Sequence, residues 1–128
     1  MTPDLSRLCV HTITTKPWPI EVAMDKYAEA GIAGITVWRQ ALEGRDIEKV
    51  GEALRARNLS IVSLCRGGFF PAKTATGLAE AIEDNRRALR EAAALGAPLV
   101  VLVCGAVPGQ PLAESRKRIA DGIAAILP

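Results

Sequence analysis

Residues 54–65 read LRARNLSIVSLC, in which the end of a helix-spaced stretch is followed directly by a short apolar run. Apolar residues recur at helical spacing over 47–54, and Asp46 stands where a helix N-cap is expected. The run 59–65 is rich in β-branched and apolar residues, which is typical of a buried strand. A helix that leads straight into a buried strand predicts an α/β fold.

The same alternation of strand and helix occurs four times along the chain. The third helix is the longest, and Gly96 stands at its expected C-cap. Strands are predicted at residues 7–12, 33–38, 59–65 and 98–104. Their nearly continuous apolar character predicts a parallel sheet covered on both faces, or the wall of a barrel.

Two architectures fit this pattern: an open flavodoxin-like sheet that binds a small ligand, and four consecutive units of a (βα)8 barrel. An open nucleotide-binding sheet usually carries a glycine-rich phosphate turn after its first strand. Here that loop is HTITTKPWP, residues 11–19, and it contains no glycine. We therefore predict one domain over residues 1–128, an α/β fold of four parallel βα units that forms half of a TIM barrel.

The composition excludes several classes of protein. Apolar residues make up 49% and charged residues 23% of the 128 positions, an ordinary balance for a folded domain. The net charge is only +2 and no polybasic block is present, so we expect no nucleic-acid partner. No signal peptide and no stretch of roughly 18 apolar residues is visible, so we expect a cytoplasmic protein without a membrane segment. Cys9, Cys65 and Cys104 lie in apolar runs and are predicted to be buried, reduced thiols.

Two long stretches carry a family resemblance. They are residues 9–42, CVHTITTKPWPIEVAMDKYAEAGIAGITVWRQAL, and residues 46–71, DIEKVGEALRARNLSIVSLCRGGFFP. Both resemble the N-terminal half of the xylose isomerase-like TIM-barrel proteins. The resemblance implies sugar or sugar-phosphate isomerase or epimerase activity in a complete barrel. It also implies a divalent metal of the Mn or Mg class, held at strand ends by Glu, Asp and His side chains that come in part from the second half.

The acidic residues and histidines of this chain do not supply such a metal site. Where some members of the family have a glutamate after the second strand, this sequence reads Trp38, Arg39, Gln40. His11 is the only histidine, so neither a multi-histidine metal site nor a Ser-His-Asp triad can be assembled. We predict no metal ligand, assign no catalytic residue, and expect this chain alone to be inactive.

The predicted strand ends place cationic and aromatic side chains at one rim of the barrel instead. Guanidinium groups suit phosphate and carboxylate, so an anionic or polyhydroxy small molecule is the expected substrate. Each side chain also has a purely structural alternative: a histidine bonded at a strand end, arginines that tie loops together, or rings that seal the core. The residues predicted to bind substrate are His11, Trp38, Arg39, Arg66 and Phe70.

Half a barrel leaves two unpaired strand edges and an open apolar interior. We therefore expect either a C-terminal half that completes the barrel or a homo-oligomer. The alternative function is a non-catalytic half-barrel module for binding or assembly that pairs with itself.

Overall fold

The computed structural model describes residues 3–128, in which four parallel strands alternate with four α-helices. The strands are β1 (Cys9–His11), β2 (Gly34–Trp38), β3 (Ser60–Gly68) and β4 (Val100–Val103). The helices are α1 (Ile20–Glu29), α2 (Ile47–Ala56), α3 (Ala75–Leu95) and α4 (Leu112–Ile126). Two 3-10 helices, Thr12–Thr15 and Arg39–Leu42, follow β1 and β2 directly. The four predicted βα units are confirmed.

The strand order is β1-β2-β3-β4, and every neighbouring pair is parallel. Each strand therefore pairs with the strand of the next βα unit, as neighbouring strands of a TIM barrel do. A flavodoxin-like sheet requires a reversal of strand order at its switch point, and the described sheet has none. The half-barrel prediction is confirmed, and the flavodoxin-like alternative is excluded.

Local signals begin and end the helices as the sequence predicts. The Asp46 carboxylate accepts a hydrogen bond from the backbone N–H of Lys49 at 3.3 Å and caps α2. Gly96 ends α3 with a φ of +81°, a left-handed conformation that favours glycine. These caps satisfy backbone groups that a helix end otherwise leaves unpaired. Among residues 3–128, no helix is both long enough and apolar enough to cross a membrane.

The two faces of the sheet have different roles. One face packs against the helices and forms the core, whose strand residues are Ile35, Val37, Ile61 and Leu64. Because side chains alternate along a strand, Gly34, Thr36 and Trp38 of β2 point to the other, concave face. A register shift at Val62 pairs Thr36 with Ser63, so the polar residues of the two strands stay on the same side. The concave face is therefore available for a site.

The prediction of three buried cysteines is confirmed for Cys65 only. Cys65 is buried within β3 and Cys9 is half-buried, but Cys104 is exposed. Cys104 follows β4, the last strand of the described sheet, so no further strand lies beside it. The prediction of a buried Cys104 is wrong because an apolar run at a sheet edge is covered on one side only.

Helix α2 approaches the end of α3 closely at Gly51. A Cβ atom at this position would collide with the carbonyl oxygen of Leu95, which also accepts a hydrogen bond from Arg55 at 3.1 Å. In an open helix, alanine would stabilise by up to about 1 kcal/mol relative to glycine. Overpacking costs roughly 1–3 kcal/mol. At Gly51 this cost is larger than the gain in helix propensity.

We expect Gly51→Ala to lower the free energy of unfolding by about 1 kcal/mol, the difference between these two effects. Urea unfolding followed by far-UV circular dichroism measures the change. Glu52→Ala, at the exposed neighbouring position of α2, is the control and should change stability by less than about 0.5 kcal/mol. A Gly51→Ala protein as stable as the wild type would show that the two helices can separate without cost.

Candidate functional site

The ends of β1 and β2 bring two of the predicted residues into contact. His11 ends β1 and Trp38 ends β2, and both belong to the concave face. The indole Nε1–H of Trp38 donates a hydrogen bond to Nδ1 of His11 at 3.2 Å. The backbone N–H of Trp38 donates to Oγ1 of the buried Thr12 at 2.9 Å. Trp38 is therefore fixed through its side chain, which bonds to His11, and through its backbone, which bonds to Thr12.

A row of polar side chains crosses the concave face below this pair. Oγ1 of Thr36 lies 2.8 Å from Oγ of Ser63 and 3.4 Å from Sγ of Cys9, and both hydroxyl residues are buried. Burial raises the pKa of the Cys65 thiol, against a smaller opposing effect of the Arg66 charge. A thiol that stays protonated is a packing group rather than a nucleophile. Sequence reasoning missed the Thr36–Ser63 pair, although alternation along both strands is a signal that could have found it.

Strand β3 leaves the sheet at the segment SLCRGGFFPA, residues 63–72. The Arg66 side chain is exposed, and its guanidinium carbon lies 4.1 Å from the centroid of the Phe69 ring, a cation–π contact. Within the part of the chain that the structure describes, Arg66 forms no ion pair. Arg66 lines a second cleft, of about 480 Å³, together with Arg39 and the carboxylates of Glu43, Asp84 and Glu91, and it does not line the cleft beside Trp38. A guanidinium without an ion pair can accept an anionic ligand, although acidic side chains share this cleft.

Phe70 lies away from the other predicted residues. Its side chain is only 1% exposed, and its ring packs against Gly122 of α4, where a Cβ atom would collide with it. The structure thus places Phe70 in the packing between the β3 exit and α4 and does not bring it to His11 or Trp38.

Arg39 points to α3 rather than to the concave face. Its Nε donates to Glu91 at 2.6 Å and its Nη1 to Asp84 at 3.0 Å. The hydrogen bond to Glu91 raises the pKa of Arg39, burial opposes this, and the bond to Asp84 adds to it. Arg39 also donates to the backbone oxygen of Arg66 at 3.4 Å, so it joins α3 to the exit of β3.

The ion pair of Arg39 with Asp84 should appear in the acid stability of the protein. The hydrogen bond from Arg39 is the largest cause of the lowered pKa of Asp84, whose ordinary value is 3.8. A carboxylate with a lowered pKa in the folded state stabilises the protein fully above its unfolded pKa. That contribution is lost as the pH falls through the folded pKa.

We expect Arg39→Gln to lower the free energy of unfolding by about 1 kcal/mol at neutral pH, because it removes two partly exposed ion pairs, with Asp84 and with Glu91. The difference between variant and wild type should shrink below about pH 4, where Asp84 takes up its proton in the variant. Urea unfolding between about pH 7 and pH 3 measures both profiles. Lys117→Gln, which removes an exposed pair with Asp121, is the control and should cost less than about 0.5 kcal/mol. If the difference in unfolding free energy did not change with pH, the Arg39–Asp84 pair would not be the cause of the lowered pKa of Asp84.

A cleft of about 290 Å³ opens next to Trp38, between the two 3-10 helices. Its walls include the exposed indole of Trp18 and the side chain of Lys16. Both residues come from the loop after β1, which lies at the rim formed by the carboxyl ends of the strands. In TIM-barrel proteins this rim carries the ligand site.

Comparison with known proteins agrees with the fold. A family model described as xylose isomerase-like TIM barrel matches residues 24–128. The chain belongs to the xylose isomerase-like TIM-barrel family. No curated protein matches the sequence.

Similar solved structures contain the described fold as about half of a longer chain. Protein SMc04130 from Sinorhizobium meliloti 1021 is 39% identical over 98% of this chain and 46% of its own, with a TM-score of 0.87. A xylose isomerase domain-containing protein from Salmonella typhimurium LT2 is 16% identical over 99% of this chain and 49% of its own, with a TM-score of 0.75. The IolI protein, solved with a bound zinc atom, is 17% identical over 92% and 45%, with a TM-score of 0.78. This chain spans about half the length of these structures.

A xylose isomerase-like barrel is expected to hold a divalent metal, but the side chains present here do not fit one. Among residues 3–128, no group of three or more His, Cys, Asp or Glu side chains is placed to bind a metal ion. On the concave face the only imidazole is that of His11, and its Nδ1 is occupied by the Trp38 indole. A metal centre therefore cannot be assembled from the side chains of the described residues alone.

Proposed function

We propose that this chain supplies the N-terminal half of the substrate pocket of a sugar or sugar-phosphate isomerase or epimerase. The observation that carries the proposal is the His11–Trp38 pair, which lies at the carboxyl ends of β1 and β2 and faces the concave side. A hydrogen-bonding imidazole beside an indole suits a polyhydroxy ligand, since the ring can lie against C–H groups and the imidazole can bond an oxygen.

The exposed Arg66, which lies in the adjoining cleft, would add a preference for an anion. Its guanidinium is positioned over Phe69 and is not neutralised by a carboxylate of the described chain, so it can bind a phosphate or carboxylate group in a bidentate manner. Arg39 would act indirectly, because its contact with the backbone of Arg66 fixes the β3 exit. A divalent metal, such as the zinc of the IolI structure or an ion of the Mn or Mg class, would be bound by side chains outside this half.

We propose that the reactive half consists of four further βα units, which pair with β1 and β4. We also propose that the complete enzyme is cytoplasmic. We propose no nucleic-acid partner, because the net charge of +2 is small and the positive charges are distributed among acidic residues.

A chimera tests this function. The 128-residue chain is joined to the C-terminal half of SMc04130, and aldose–ketose isomerisation and epimerisation are measured on sugars and sugar phosphates with Mn²⁺, Mg²⁺ and Zn²⁺. The chimera should turn over at least one substrate, and the 128-residue chain alone should turn over none. Activity of the chain alone would contradict the proposal, as would a folded but inactive chimera alongside an active SMc04130.

Arg66→Gln in the chimera tests the anion preference. We expect KM for a phosphorylated substrate to rise about tenfold, with a smaller change for the unphosphorylated sugar. Arg116→Gln removes an exposed arginine of α4 and is the matched control. Equal effects of the two variants on KM would show that Arg66 does not bind the phosphate group of the substrate.

A second candidate, a non-catalytic module that pairs with itself, is favoured by the exposed apolar residues of β3 and β4. Val62, Leu102 and Val103 are 40%, 37% and 37% exposed in the described chain. A second copy could cover these side chains and the strand edges. Light scattering decides this point, because a stable dimer of the 128-residue chain supports the candidate and a well-folded monomer contradicts it.

A further inference from the structure

The protonation pattern of His11 follows from its neighbour. An indole N–H can only donate a hydrogen bond, and Trp38 directs its N–H to Nδ1 of His11 at 3.2 Å. Nδ1 must therefore accept with its lone pair. A neutral imidazole with an unprotonated Nδ1 carries its proton on Nε2.

The surrounding contacts keep the two rings in this arrangement. Thr12 accepts a hydrogen bond from the backbone N–H of Trp38 at 2.9 Å, and the hydroxyl of Tyr27 donates to the backbone oxygen of His11 at 3.5 Å. That hydroxyl lies 2.6 Å from Oγ1 of Thr15, which fixes it in turn. The backbone of Trp38 is thus bonded to Thr12, in the loop after β1, and the backbone of His11 is bonded to Tyr27 of α1.

The opposite end of the imidazole is open. Within residues 3–128, the Trp38 indole is the only hydrogen-bond partner of the His11 side chain, and no buried side-chain nitrogen or oxygen lacks a partner. Nε2 is therefore not completely buried. His11 pairs in register with Thr36, which bonds to Ser63 across the concave face, so the open Nε2 belongs to the same face.

We propose that Trp38 fixes His11 as the neutral Nε2–H tautomer, so that His11 offers a hydrogen-bond donor to an acceptor oxygen of a ligand on the concave face. For this hydrogen bond, the indole N–H of Trp38 positions the imidazole, and His11 is the donor to the ligand. The acceptor is a carbonyl, hydroxyl or phosphate oxygen. The identity of the ligand rests on the proposed function, whereas the tautomer does not.

The tautomer can be measured directly because His11 is the only histidine of the sequence. In a ¹⁵N-labelled, tag-free 128-residue chain near neutral pH, long-range ¹H–¹⁵N correlation spectra distinguish a protonated from an unprotonated ring nitrogen. We expect an unprotonated Nδ1 and a protonated Nε2. In Trp38→Phe, the ¹⁵N chemical shifts of both ring nitrogens should move towards the average of the two tautomers. A protonated Nδ1, or averaged nitrogens in the wild type, would overturn the inference without reference to any variant.

Two substitutions at His11 in the chimera separate contact with ligand from a structural role. Glutamine can place a donor near the position of Nε2, whereas asparagine can only reproduce the acceptor near Nδ1. If His11 contacts substrate, His11→Asn should lower kcat/KM about tenfold more than His11→Gln. The reverse order would mean that only the bond to Trp38 matters and would overturn the assigned contact. If the wild-type tautomer is as expected while the chimera turns over nothing, the proposed function fails and the tautomer assignment stands.

Discussion

Asn85→Leu is expected to lower the free energy of unfolding by about 3 kcal/mol, because it leaves two buried backbone groups unpaired. Oδ1 of Asn85 accepts from the N–H of Gly68 at 2.6 Å, and Nδ2 donates to the carbonyl of the same residue at 2.8 Å. Asn85 is 1% exposed, and Gly68 is buried as well. Water therefore cannot replace the lost partners.

Urea unfolding of the 128-residue chain, followed by circular dichroism, measures this loss. Glu80→Ala on the exposed side of α3 is the control and should change stability by less than about 0.5 kcal/mol. A loss of less than about 1 kcal/mol for Asn85→Leu would mean that Gly68 finds other partners, which would contradict the role given to Asn85.

Gly68→Ala should destabilise the protein by roughly 3 kcal/mol or more, since it combines backbone strain with a steric collision. Gly68 has a φ of +100°, a region that side chains other than glycine rarely adopt. A Cβ atom there would overlap the backbone of Val103 in β4. The pairing of β3 with β4 would have to open to admit it.

Gly44→Ala separates the two effects, because Gly44 has a φ of +71° but no atom within 4 Å of a built Cβ. This control should cost only about 1–2 kcal/mol. Amide hydrogen exchange adds a local readout, since the N–H of Phe69 donates to the carbonyl of Val103 at 2.7 Å. That amide should exchange faster in Gly68→Ala and at the wild-type rate in Gly44→Ala. Equal losses of stability in the two variants would contradict the collision.

Most of the fold could be predicted because its signals are local. Apolar runs mark the strands, and caps such as Asp46 and Gly96 depend on residues only a few positions away. The end of β3 was predicted at Cys65 but lies at Gly68. Asn85, 17 residues beyond Gly68, supplies the hydrogen bonds at this end, and no pattern around the glycines reveals a partner on another helix.

The site could be predicted in part for the same reason. His11 and Trp38 are recognisable as strand-end residues, and neighbouring parallel strands bring such residues together. Arg39 looks identical to a ligand-binding arginine until its partners are known, and these lie 45 and 52 residues further along the chain. Phe70 is similar, because only the position of Gly122 shows that its ring is covered. The sequence spacing predicts the position of a residue along a strand, but its side-chain contacts depend on residues far away in the sequence.

The sequential strand order has a consequence for how the chain folds. Paired residues are separated by 25 positions between Cys9 and Gly34, by 26 between Gly34 and Ser60, and by 36 between Leu64 and Val100. No strand pairing joins distant parts of the described chain, so the entropy lost in closing each loop stays modest. Because folding slows as contact order rises, this chain should fold faster than a parallel sheet of the same length whose strands pair out of sequence. Each βα unit can dock on the preceding one as it leaves the ribosome, before the rest of the polypeptide has been synthesised.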